Sequence, residues 1–254
     1  MLKEIVITLF VLSSTQLFGW GLTGHRVVGQ VAENHLSKKA KSKIQSILGD
    51  ETLAIVSVWM DEERSNPKYD HTVDWHWVTI PDGMTYAETV KNPNGDVIAT
   101  INRLIVELKA GGLTKEQEIE RIKMLVHFVG DIHQPLHVGK EGDRGGNAVK
   151  VKWFWNSTNL HSIWDSKIID DKQFSYTELA AAIDHPSKDQ INKWQSEGVL
   201  VWADESIALR DQVYNFPEDK ELSYQYLYDN WATVQLRLLK AGVRLAGILN
   251  EIYN

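Results

Sequence analysis

The sequence predicts an all-α, single-domain protein carrying one small β-hairpin. Three observations predict it. Apolar residues recur at three- and four-residue spacing through most of the chain, helix-capping residues head those stretches, and a single segment alternates apolar and polar residues as a strand does. With 254 residues, 43% of them hydrophobic, the chain can bury one sizeable core. No internal repeat, low-complexity tract or linker divides it, so residues 20–254 read as one domain.

Taken in order, residues 1–19 (MLKEIVITLFVLSSTQLFG) set Lys3 ahead of the apolar run IVITLFVL. That run has the length of a signal-peptide core and is too short to span a bilayer. Gly19 is a small residue at the cleavage position, although Leu17 stands two residues earlier, where a small one is usual. Cleavage there starts the mature chain at Trp20. Residues 25–36 carry apolar positions at helical spacing. Ser37 caps SKKAKSKIQSIL, which stops at Gly49, and Asp96 caps DVIATINRLIVELKA, which stops at Gly111-Gly112. Thr114 and Gln117 form a capping box for TKEQEIERIKMLVHFVGDIH, and Pro135 ends that helix. Ser187 and Gln190 form another box, and residues 222–253 make one or two amphipathic helices. The one strand-like stretch is NAVKVKWFW, 147–155, after a Gly145-Gly146 turn.

Composition narrows the function. There is no cysteine, hence no disulfide and no thiolate metal ligand, and an exported protein of this kind fits a bacterial periplasm or secretion into the medium. The net charge of −7 argues against binding a long duplex through a basic face. No stretch after residue 19 is long and apolar enough to cross a membrane. Ten tryptophans are many for this length, and some are expected to be stacking surfaces.

The chemistry lies in histidines and aspartates. His127 and Asp131 stand four apart in VHFVGD, so one helical turn sets both on the same face, where they can meet one metal. His161 and Asp165 repeat that spacing in NLHSIWD, and His137 follows Pro135 in a QPLH turn. Asp61 lies in WMDEER and His76 in WHWV. Imidazole and carboxylate without thiolate is a ligand set of hydrolytic zinc, which leaves positions open for water. Taken singly, each of these residues reads first as a surface charge or a hydrogen-bonded core group.

Together, WGLTGH, WMDEER, WHWV, HFVGDIHQPLH, GGN and NLHSIWD stand in an order that resembles the zinc-dependent single-strand nucleases that are also 3'-nucleotidases, the S1/P1 nuclease family. The resemblance implies a mostly helical phospholipase C/nuclease-like fold and three Zn²⁺ per chain. It assigns the amine and carbonyl of a processed Trp20, with His25 and Asp131, to one ion. Asp61, His76, His127 and a bridging Asp131 go to a second, and His137, His161 and Asp165 to a third. It implies hydrolysis of single-stranded DNA and RNA, and of 3'-nucleotides, leaving 5'-phosphates. Asp61 would orient water, Arg64 would steady phosphoryl oxygens, Trp77 would stack a base, and Asn147 would touch substrate. Thr79 departs from the fungal pattern, which often has aspartate there, so base preference stays open. Trp153, Phe154 and Trp155 are either a second stacking platform or a hydrophobic hairpin. His35, His71, His133 and His185 match no ligand position and read as structural or exposed. A monomer without membrane attachment, secreted or periplasmic, is expected. Two alternatives remain at this point: a zinc-dependent phospholipase C, whose last ligand is typically glutamate rather than the Asp165 present here, and a non-catalytic zinc-binding protein.

Overall fold

The computed structural model describes residues 19–254, so the signal peptide read in residues 1–19 lies outside the described residues except for Gly19. Eight longer helices carry the fold. Helix α1 (Leu22–Asn34) begins three residues before the periodic pattern does, because Leu22 is exposed in its first turn. Helix α2 (Lys38–Leu48) is capped by the Ser37 side chain on Ala40 N and stops at Gly49, whose φ of 70° leaves the helix. Helix α3 (Val97–Ala110) is capped by Asp96 on Ala99 N and ends at the Gly111-Gly112 turn. Helix α4 (Lys115–His133) opens with the reciprocal Thr114–Gln117 box and stops before Pro135, as the sequence indicates. The Ser187–Gln190 box heads α6 (Lys188–Ser196), and the C-terminal segment is one helix, α8 (Tyr224–Tyr253). Two helices were not read from the sequence: α5 (Tyr176–Ile183), started by its own Ser175–Glu178 box, and α7 (Val199–Ala208).

Helix α8 is the long member of the core and packs against α1, α2, α4 and α6, while α3 and α4 form a helical hairpin. Helix α4 is buried without interruption from Ile122 to His133. A helix so enclosed needs its end groups satisfied from outside. Arg237 of α8 donates to His133 O at 2.9 Å, and Ser206 of α7 donates to Ile132 O at 3.0 Å. The cations Arg237, Lys240 and Arg244 share one carboxylate, Glu205.

The strands are few and short. The hairpin is β3 (Lys150–Trp153) against β4 (Asn156–Asn159), so residues 147–149 of the predicted strand lie outside it, 147 and 148 in a turn, and residues 154–155 are the hairpin tip. Phe154 and Trp155 both have positive φ, 45° and 70°, the conformation a two-residue hairpin turn imposes and that Asn-Gly usually fills. Trp153 is buried, and Phe154 packs edge-on to Tyr224 with centroids 4.6 Å apart, while Trp155 stands 83% exposed at the tip. Neither reading of this aromatic triplet covers all three members. Strand β5 (Glu221–Leu222) joins β3 in parallel, and a second parallel pair sets β1 (Val78–Thr79) beside β2 (Val138–Gly139). Arg210, buried, spans that pair: it donates to Ile80 O, Val138 O and Gly139 O at 2.7, 3.1 and 2.9 Å. Because β1 follows His76–Trp77 and β2 follows His137, this contact fixes the backbone behind three of the predicted site residues.

Candidate metal centre

Asp131 is the hub. Its carboxylate is fully buried and divides its oxygens: Oδ1 lies 3.3 Å from His25 Nε2, while Oδ2 lies 2.9 Å from His76 Nδ1 and 3.2 Å from His127 Nε2. Asp61 Oδ1 stands 3.9 Å from His127 Nε2. These side chains come from separate segments: His25 from α1, His127 and Asp131 from one face of α4, Asp61 from the helical turn Trp59–Glu62, and His76 from the end of the 3₁₀ segment Pro67–His76. His25 reaches the hub because Gly130 leaves room; a Cβ there would sit 2.7 Å from His25 Nδ1. The His25 ring then stacks on His127, centroids 4.1 Å apart and planes 14° off parallel.

A second group forms beside it from His137, His161 and Asp165. His161 Nε2 is 3.1 Å from Asp165 Oδ2, and the His137 and His161 rings lie 5.0 Å apart. The predicted four-residue spacing is kept, but Asp165 falls in a wide π-helical turn, Ile163–Lys167, that follows the short turn Leu160–Ser162. Among the described residues, His25, His127 and Asp131 form one set with ligand atoms mutually within 4.8 Å, and His137, His161 and Asp165 form another.

The hydrogen bonds decide which nitrogen each ring offers. His127 Nδ1 is 2.8 Å from Ser57 O, His137 Nδ1 is 2.6 Å from His76 O, and His161 Nδ1 is 2.6 Å from Gly145 O. A carbonyl only accepts, so each Nδ1 carries the proton and each Nε2 keeps a lone pair aimed at its group. His133 is different: Nδ1 bonds Val129 O and Nε2 accepts from Arg244 at 2.9 Å, which uses both nitrogens. It is a structural histidine, as are His35, which meets Asp184 at 2.6 Å, and His71, which is exposed edge-on to Trp75; His185 is exposed.

Four buried atoms at the hub have no hydrogen-bond partner: both ring nitrogens of His25, Asp131 Oδ1 and Asp61 Oδ2. A buried orphan carboxylate oxygen facing an orphan imidazole is costly unless a cation lies between them. The donors are nitrogen and oxygen only, which suits zinc. The charge balance points the same way. Burial opposes charge on His127, yet Asp131 and Asp61 together raise its pKa to about 9. Burial likewise opposes ionisation of Asp131, and His127 and His137 overcome it to hold that carboxyl well below its ordinary range. Burial lowers His25 and His76, and raises Asp165. The carboxylates of the hub thus favour a positive charge among its imidazoles, as a metal ion would supply.

Trp20 is fully buried next to the hub, and Gly21 N donates to Asp165 O at 2.7 Å. A Cβ on Gly19 would collide with the Asp131 carboxylate and lie 2.8 Å from His25 Nε2, so the backbone just ahead of Trp20 runs against the hub itself. A cavity of about 30 Å³ is lined by Asp61, Arg64 and His76. A cleft of about 420 Å³ is lined by His137, His161, Trp77, Thr79, Lys140 and Arg144. Trp77 also lines a second cleft of about 380 Å³ with residues 89–93. Asn147 is buried, and its amide donates to Arg144 O at 3.1 Å, so it braces the turn that carries Arg144.

Sequence reasoning missed Gln134, whose amide donates to Asp165 Oδ1, and Gly130. Both lie inside the HFVGDIHQPLH motif, whose signal went to its histidines and aspartate. The carbonyls of Ser57 and Gly145 that orient His127 and His161 carry no side-chain signal at all. No helix among the described residues is long and apolar enough to cross a membrane.

A family model described as S1/P1 nuclease matches residues 20–254. Endonuclease 4 of Arabidopsis thaliana is 31% identical over 281 aligned positions, covering 96% of this chain and 94% of that protein. Nuclease P1 of Penicillium citrinum is 29% identical, covering 92% and 98%, and Nuclease S1 of Aspergillus oryzae is 26% identical, covering 92% of each. With its hub, its second His/Asp group and a match running from Trp20 to the last residue, the chain belongs to the S1/P1 nuclease family.

Proposed function

We propose that this chain hydrolyses phosphate esters of single-stranded DNA and RNA, and of 3'-nucleotides, to products bearing 5'-phosphates, with three zinc ions held by Trp20, His25, Asp61, His76, His127, Asp131, His137, His161 and Asp165. The observation that carries the reading is the split Asp131 carboxylate, each oxygen turned to a different set of imidazoles, with Oδ1 and both His25 nitrogens lacking any other partner. Asp131 would bridge two ions, and the second His/Asp group would hold the third. Zinc in such sites supplies Lewis acidity and brings the pKa of water down to about 7.

The chain's own residues supply the rest. Asp61 Oδ2, buried and without a partner, accepts a hydrogen bond from the attacking water and aligns it. Arg64, on the same small cavity as Asp61 and His76, donates to phosphoryl oxygens as the planar guanidinium suits. The Trp77 indole receives an unpaired base, worth about 1–3 kcal/mol and indifferent to base identity, which favours single strands over duplex. Asn147 holds the loop beside it.

Removal of residues 1–19 would free the Trp20 amine as a ligand. The start of the family match at Trp20 and the closeness of Gly19 to Asp131 and His25 support this. Export to a periplasm or the medium follows from the same reading. The test pairs a zinc count with a hydrolysis panel of single-stranded DNA, RNA, 3'-AMP and phosphatidylcholine on material beginning at Trp20. Three zinc ions and nucleic-acid cleavage are expected. Lipid cleavage with oligonucleotides left intact would overturn the substrate assignment, and zinc binding with no turnover would overturn the enzyme assignment. Material with one residue left ahead of Trp20 should lose both activity and a zinc ion; full activity from it refutes the amine ligand.

A further inference from the structure

We infer that the cleft beside Trp77 contains a second phosphate subsite, in which Lys140 and Arg144 recognise the 5'-phosphate of the nucleotide being cleaved at its 3' oxygen. The inference rests on the proposed 3'-phosphoesterase reading of the site and names a substrate class for it, nucleoside 3',5'-bisphosphates.

The cleft of about 420 Å³ brings three kinds of surface together: the imidazoles of His137 and His161, the indole of Trp77, and the cations of Lys140 and Arg144. A nucleotide that lays its base on the indole and turns its 3'-phosphate to the imidazole group keeps its 5' substituent within the same cleft. That substituent is a phosphate in any strand. In a chain of net charge −7, a cleft lined by two cations and one acid is a local exception. Glu141 is the one acid lining this cleft, so the lining is net positive, while Asp143 of the same loop is buried and turns its carboxylate to the Tyr214 hydroxyl.

The loop is built to hold those cations in place. Lys140 Nζ rests 3.8 Å from the centre of the Tyr214 ring, so its ammonium is docked on an aromatic face. Gly142, Gly145 and Gly146 all have positive φ, and Arg144 at 55° is the one non-glycine residue of residues 140–147 in that region. A side chain is carried there at a cost a glycine would avoid. A guanidinium facing phosphate oxygens gives that cost a use, since it can donate two parallel hydrogen bonds.

In the reaction, a water oxygen bonds to the 3' phosphorus as the P–O3' bond breaks. The electron pair passes to O3', which takes the proton the water gives up. The products are inorganic phosphate and a nucleoside 5'-phosphate, with the 5' ester untouched. In a strand the same subsite holds the next phosphodiester upstream.

Steady-state kinetics on processed, zinc-loaded enzyme with adenosine 3',5'-bisphosphate and adenosine 3'-phosphate test this. The expected kcat/KM ratio favours the bisphosphate by about tenfold, mainly through KM, and shrinks as salt is raised. Lys140→Ala and Arg144→Asn, the latter chosen because asparagine tolerates positive φ, should each cut the ratio by roughly three- to tenfold. Lys39→Ala, at an exposed position of α2, should leave the ratio as it is. A calorimetric titration of the processed, zinc-loaded enzyme with 5'-AMP should show binding weakened at least about threefold in the same two variants. A parent ratio near one, or a ratio and a 5'-AMP affinity unmoved by both substitutions, overturns the subsite while leaving the nuclease reading intact. Failure to hydrolyse both compounds overturns the 3'-phosphoesterase reading on which the subsite rests.

Discussion

Arg210→Met tests whether one buried guanidinium holds the backbone of the site. The substitution keeps the unbranched apolar stem and removes the donors. Arg210 makes four hydrogen bonds: 2.7 Å to Asp82 Oδ1, 2.7 Å to Ile80 O, 3.1 Å to Val138 O and 2.9 Å to Gly139 O. The Asp82 carboxylate is 70% exposed, so that ion pair adds little. Gly139 O keeps a second donor, Ile80 N at 2.9 Å, when the guanidinium is gone. The loss therefore falls on Ile80 O and Val138 O. Buried acceptors stripped of a charged donor cost about 1–3 kcal/mol each, and relief from burying the guanidinium returns part of that. A net loss of roughly 3 kcal/mol is expected, or about 6–12 °C in melting temperature for a domain of this size. Calorimetry with and without zinc measures it. The variant should also lose kcat/KM, since β1 and β2 carry the backbone after Trp77 and His137, and Arg210→Lys should recover only part of either loss. A melting temperature within about 2 °C of the parent would refute the reasoning.

Three further outcomes follow from the same structure. EDTA should abolish activity and lower the melting temperature, because the proposed ions tie α1 and α4 to the Asp61, His76 and Asp165 segments; an unchanged melting curve in chelator contradicts this. Trp77→Ala should raise KM for a single-stranded oligonucleotide by roughly 5- to 150-fold, the equivalent of one lost stacking contact, and an unchanged KM places the base elsewhere. Burial works to raise the Glu205 pKa, but Arg244, Lys240 and Arg237 hold it down to about 2. A carboxylate depressed in this way stabilises the fold above its unfolded pKa of about 4.5, and that contribution fades as pH falls from there toward 2. In chelator, to set zinc loss aside, Glu205→Gln should melt well below the parent at pH 6, with the gap closing toward pH 3; a gap independent of pH contradicts the linkage.

Capping chemistry made most of the fold legible. Ser37, Asp96, Thr114 and Ser187 each satisfy a helix's first amides with their own side chain, so the signal is local and survives in the sequence. Helices α5 and α7 escaped for different reasons. The Ser175–Glu178 box of α5 is as regular as the others but heads only eight residues, barely two turns of periodicity, whereas α7 starts at Gly198 with no side-chain cap and no acidic residue in its first turn. The β1–β2 pair escaped because two-residue strands have no periodicity; long-range register and Arg210 hold them. In the site, residue types and spacing sufficed for the two His/Asp pairs, which one helical turn brings together. Asp61 and His76 needed the family resemblance, since nothing local says that a helical turn and a 3₁₀ end will meet α4. Lys140 and Arg144 could not be singled out, because a loop cation means something only when the cleft it lines is known.

The arrangement also explains how an acidic chain can work on a polyanion. A net charge of −7 spread over the surface repels nucleic acid at long range, but screening at physiological salt confines that repulsion to about 8 Å. Inside that distance the outcome depends on the cleft. The buried Asp61, Asp131 and Asp165 carboxylates are a demand for positive charge. The proposed zinc ions would more than offset the three aspartates and leave the floor of the cleft positive, with Lys140 and Arg144 on its rim and Arg64 on the cavity beside it. Attraction is thereby restricted to a phosphate that can enter the cleft. On the proposed reading, a flexible single strand can turn a base onto Trp77 as its phosphate enters, whereas a duplex keeps its bases stacked on one another and offers the indole none. On this view selectivity for single strands and tolerance of an acidic surface have one cause: the positive charge is confined to the cleft, and only a strand that can unstack fills it.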